Sequence, residues 1–120
     1  MAEPSFPRIS RAIPVRRYQY GDFQVTVLDE VESPDPVAYR YLMAFVREGQ
    51  SQPTAFVSCE PAGEAMRAEG RYQLRVINRS MDEPVMADDA LGGLDTFCGQ
   101  ALEIAEQLYS LQDEEPYRLA

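Results

Sequence analysis

The sequence predicts an α+β domain: an antiparallel sheet of about five strands, one long C-terminal helix packed on one face, and a short helix between the fourth and fifth strands. Segments with period-two alternation of apolar and polar residues recur along most of the chain, and turn residues separate them at hairpin spacing. Near the C-terminus the apolar period switches to three and four, which is the spacing of one helix face. The chain of 120 residues has the length of one domain and can bury about two-thirds of its unfolded surface.

Residues 1–14 hold Pro4, Pro7 and Pro14 with no clear period, and are expected to form an irregular N-terminal arm draped on the body through Phe6 and Ile9. Residues 15–112 form the expected single domain, and 113–120 an acidic tail that should fray. Strands at 16–20 and 23–32 flank Gly21-Asp22, an order that suits a type II′ turn. In the second of them Phe23, Val25, Val27 and Val31 share one face and Gln24, Thr26 and Glu30 the other. Ser33-Pro34-Asp35-Pro36 must end it, because two prolines fix φ and remove donors. A third strand at 37–48, a polar turn and a fourth strand at 53–60 make a second hairpin.

In 61–70, Pro stands at a first helical position and Gly past the end, so a short helix is expected. In 71–79, Tyr72, Leu74 and Val76 alternate with Arg71, Gln73 and Arg75, which puts one face inside and the other in water. Residues 80–88 read as a loop around Pro84. The long helix follows, with Leu91, Leu94, Cys98, Ala101, Ala105 and Leu108 as its stripe and Asp88 as a cap. Gly92-Gly93 costs about 2 kcal/mol against Ala-Ala inside a helix, which places the start near Asp95.

Composition removes whole chemistries. All eleven basic residues are Arg, and the chain has neither His, Lys nor Trp. Ser-His-Asp triads, Cys-His dyads and imidazole metal ligands need His; Walker A loops and Schiff bases need Lys. Carboxylates, a Cys, Tyr or Ser, and arginine electrostatics are left, so the reading leans away from an enzyme, with no catalytic residue, cofactor or metal assigned. Cys59 and Cys98 lie too far apart in sequence to suggest a cluster and are expected to be reduced, buried packing residues. The formal charge is −9, with the excess of Arg confined to residues 1–20. That balance opposes a nucleic-acid backbone. Apolar runs are too short for a membrane span, and the first 14 residues lack the apolar core of a secretory signal, so a cytoplasmic location is expected.

Two groups are candidate sites. Arg71, Gln73 and Arg75 would stand on an open strand face, where guanidinium forks could take a carboxylate or phosphorylated ligand, or simply balance nearby acids. In the third strand Tyr39, Tyr41, Met43 and Phe45 form one apolar face, and Ala38, Leu42, Ala44 and Val46 another. One helix cannot cover both, so the N-terminal arm, a second copy or a partner must, and a homodimer is the favoured reading. The acidic group Asp82, Glu83, Asp88, Asp89 and Asp95 fits no calcium-loop spacing and reads as a solvated helix-capping cluster.

The expected function is a non-enzymatic intracellular interaction or regulatory module that acts through a sheet face or edge on a second copy or another protein. The alternative is a small-molecule-binding protein or a minor hydrolase built on carboxylates and Arg. A shallow apolar surface would mark the first, and a pocket of a few hundred Å³ with convergent polar groups the second. In size and charge alone the chain also resembles small acidic secretion chaperones, which adds a chaperone-like role by analogy.

Overall fold

The computed structural model describes residues 6–119. At the first hairpin Gly21 takes φ +58° and Asp22 does not enter positive φ, the pattern that a type II′ turn needs. A Cβ at Gly21 would also meet the Leu111 side chain at 2.8 Å. On either side of the turn, β1 (Arg11–Tyr20) pairs antiparallel with β2 (Phe23–Glu32). Next come β3 (Tyr41–Arg47), β4 (Ala55–Pro61), β5 (Tyr72–Asn78) and β6 (Asp82–Ala87), each antiparallel to the strand before it. After a 3-10 turn (Asp89–Gly92) and α1 (Leu94–Leu108), β7 (Tyr117–Arg118) joins the outer side of β1. The sheet order is β6-β5-β4-β3-β2-β1-β7.

The fold expected from the sequence therefore needs correction. Among the described residues the sheet has seven strands, not about five. The helix is a 15-residue element followed by more chain and a further strand, not a long C-terminal helix. No helix separates β4 from β5. There, Pro61 is still paired with Tyr72, and the Gly63 N–H is taken by the Gln73 Oε1 at 3.0 Å. Isolated turns such as Arg67 N to Gly63 O remain, too few in a row to meet the cost of helix nucleation. β6 was hidden by Pro84, which an edge strand tolerates because one side of its backbone has no partner. β7 is only two residues long, below any periodic signal. The expected arm and tail each carry sheet: β1 begins at Arg11, and β7 lies within 113–120. Residues 1–5 of the arm and Ala120 lie outside the described residues.

Alternation along the strands divides the apolar side chains between two cores. Beneath α1, Tyr20, Phe23, Val25, Val27, Tyr41, Met43, Phe45, Val57, Cys59, Leu74 and Val76 pack against Leu91, Phe97, Cys98, Ala101 and Ala105. Tyr41 and Phe97 stack at 5.2 Å between ring centroids. Cys59 and Cys98 are buried here and not joined to each other. On the reverse face Tyr39, Leu42, Ala44, Phe56 and Ile77 pack with Phe6, Leu28, Val31 and Val37.

Two face assignments made from periodicity change. Glu30 takes φ 48°, and the β1–β2 register slips between Arg11 and Ile13, so a bulge in β2 sends Val31 to the face of Leu28 instead of that of Val27. The third strand begins at Tyr41, not Val37, and Tyr39 joins the reverse face, away from Tyr41, Met43 and Phe45. Leu42 and Ala44 are buried within this one chain. The arm supplies part of the cover through Phe6, whose ring lies 5.7 Å from that of Phe56. Leu42 and Ala44 are thus covered from inside the chain.

Candidate functional site: a cleft on the reverse face

On the reverse face, cross-strand register sets Ser58 opposite Arg75 and Glu60 opposite Gln73. Arg75 donates from Nε to Glu60 Oε1 and from Nη1 to Asp82 Oδ1 of β6, both at 2.7 Å. The Ser58 hydroxyl donates to the same Glu60 oxygen. Glu60 is 6% exposed and Ser58 fully buried, so this acid is held in the sheet only because its charge is matched. Burial works against the Arg75 charge, but Glu60 and then Asp82 outweigh it and hold the guanidinium protonated above its ordinary range.

The facing wall is built from the arm and the 33–39 connection. Ser33 Oγ accepts from the Asp35 N–H, fixing the turn. Asp35 then accepts from the Arg8 backbone N–H (3.0 Å), from Arg8 Nε (2.7 Å) and from the Tyr39 hydroxyl (2.9 Å). The Arg8 N–H, followed by its guanidinium, holds the Asp35 carboxyl down at about 2. Burial, then the bond to Asp35, pushes the Tyr39 hydroxyl up to about 12 against the pull of Arg75. At neutral pH Tyr39 is a donor, not a nucleophile. Between the two groups opens a cleft of about 600 Å³ whose lining includes Phe6, Arg8, Asp35, Tyr39, Arg75 and Asp82.

Of the residues singled out from the sequence, Tyr39 and Arg75 meet in this cleft. Tyr41, Met43 and Phe45 are buried beneath α1 and offer a partner no surface. Gln73 is buried on the Gly63 N–H, and the exposed Arg71 pairs with Asp89 at 3.7 Å, so the expected row of forks does not converge. Sequence reading missed Arg8, Asp35, Glu60 and Asp82. Arg8 and Asp35 lie 27 positions apart, with no shared period to link them. Glu60 does stand two residues from Ser58 on a strand face, a signal that a buried acid needs a cation on the neighbouring strand.

The acidic group is spread over separate tasks: Asp82 on Arg75, Asp88 accepting from Ala90 N, Asp89 on Arg71 and Asp95 on Arg16. Among the described residues no group of three or more acids or cysteines is placed to hold a metal. Burial pushes the Cys59 thiol up to about 12, with Glu60 a lesser cause, and burial also raises Cys98. Neither is a thiolate at neutral pH. Among the described residues no helix is long and apolar enough to cross a membrane.

No family model, curated protein or solved structure matches this chain.

Proposed function

We propose that this chain is a small-molecule-binding protein that takes its ligand in the cleft between the arm, the 33–39 connection and strands β5 and β6. The observation that carries the reading is the convergence of Arg8–Asp35–Tyr39 and Glu60–Arg75–Asp82 on one space of about 600 Å³. The lining carries two guanidinium groups, Arg8 and Arg75, against two carboxylates, Asp35 and Asp82, with Glu60 buried behind Arg75, so no positive excess is left for a polyanion. The ligand is a neutral or zwitterionic molecule with both donors and acceptors, and Phe6 and Val37 give it an apolar wall.

The features that would favour a protein-interaction module are weaker. The edge strand β6 carries Pro84, and β1, whose outer side β7 pairs only at Tyr18 and Gln19, carries Pro14; each proline stands beside a register shift. Both devices blunt a sheet edge against strand addition. Hydrolysis by paired carboxylates is also disfavoured, because Asp35, Glu60 and Asp82 are all engaged by arginine.

The test is a thermal-shift screen of small polar metabolites on the full chain and on Tyr39→Phe and Arg8→Gln. These two variants leave the buried Glu60–Arg75 pair intact. Hits that raise the melting temperature of the parent and fail on both variants support the cleft. Hits indifferent to both variants, or none at all, would remove it.

A further inference from the structure

A second cavity, of about 380 Å³, lies where the β3–β4 and β5–β6 turns meet the end of α1, and its chemistry differs from that of the cleft. Arg47, Arg79, Ser80, Thr54, Gln50 and Tyr109 line it, and no carboxylate does, in a chain with twenty acidic residues. Arg47 is set in place twice over, by Asp22 at 3.0 Å and by stacking over the Phe23 ring at 4.7 Å. Ser80 is placed by its turn, in which the N–H groups of Ser80 and Met81 both donate to Asn78 Oδ1. Tyr109 is held by ring contacts to Phe23 and Phe45. The guanidinium of Arg79 has no ion pair among the described residues. From the end of α1 only its C-cap, Tyr109, lines the cavity, and the nearby carbonyls Ala105 O and Glu106 O are already bonded to Tyr109 N and Leu111 N.

We propose that this cavity is an oxyanion site, taking the phosphate or carboxylate group of a small molecule. Asp22 offsets one of the two arginines and leaves one positive charge to be matched. Planar forks with hydroxyl and amide donors beside them are the groups that bind such oxygens. The site shares no lining residue with the cleft, so either can fail alone.

The experiment titrates the isotope-labelled full chain with inorganic phosphate, acetate and sodium chloride at matched ionic strength, following the amides of residues 47–54 and 78–81 by NMR. Phosphate or acetate should give saturable shifts confined to those segments. A response to phosphate alone assigns a phosphoryl group, and an equal response to acetate assigns a carboxylate. Arg79→Gln should weaken binding about tenfold, the loss expected for one charge-assisted contact, while Arg71→Gln should leave it unchanged. Equal shifts with chloride, shifts that do not saturate, or unaltered binding by Arg79→Gln would overturn the proposal.

Discussion

Gly70 shows how a single missing side chain holds two segments together. A Cβ there would stand 2.5 Å from the backbone of Asp88, which donates to Tyr72 O, so neither segment can yield. Gly70→Ala should cost about 1–3 kcal/mol, as overpacking does, measured by urea unfolding. Gly99, in α1 with nothing within 4 Å of its missing Cβ, is the contrast: Gly99→Ala should stabilise by about 0.5–1 kcal/mol. Asp35, Tyr39 and Cys59 set the pH response. Asp35 ionises more easily folded than unfolded, so its contribution is complete above about pH 4 and fades as pH falls toward about 2. Arg8 is largely exposed, so solvent screens the pair and this limb is shallow. Tyr39 and Cys59 are raised in the fold, so their contributions are complete below about pH 9 and fade as pH rises through about 12. With no His, melting temperature should be flat from about pH 6 to 8. A steep slope inside that window would contradict these assignments.

Among the elements, those with a full period were readable and those held by tertiary contact were not. β5 announces itself by Tyr72, Leu74 and Val76, and α1 by its stripe, with a start at Leu94 one residue from the expected Asp95. β6 and β7 carry no such pattern, since an edge strand is held by its neighbour's backbone and can be charged or contain Pro. The 61–70 stretch fails the other way: its end signals are helical, but Gln73 and the β4–β5 pairing claim the chain first. Half of the cleft was visible as Arg75, although the strand face expected to be wet is largely covered, with Gln73 and Ile77 buried on it; the other half depends on an arm whose place no period encodes. That arm is the element most open to test. Because Phe6 covers Phe56 and Arg8 ties down Asp35, removing residues 1–9 should expose the reverse-face core. By sedimentation the full chain should be monomeric and the truncated chain should self-associate. A dimeric full chain, or a truncated chain that stays monomeric with an unchanged melting temperature, would contradict this role for the arm.

As a whole molecule, the sheet is covered unequally. α1 closes one face, whereas the arm and the 33–39 connection close only part of the other, and the cleft is what remains open above β5 and β6. Several acids of the chain, whose excess from sequence opposed a nucleic-acid backbone, act locally: Glu60 and Asp82 orient Arg75, and Asp35 orients Arg8 and Tyr39. The central claim is that this opening is a binding site. It is tested most directly by mapping amide and Arg side-chain NMR shifts of the full chain against a ligand that emerges from the metabolite screen. The account predicts saturable shifts clustered on Arg8, Asp35, Tyr39, Arg75 and Asp82 that vanish in Tyr39→Phe. Shifts gathered instead along the edge strands β6 or β7, with the cleft silent, would contradict it.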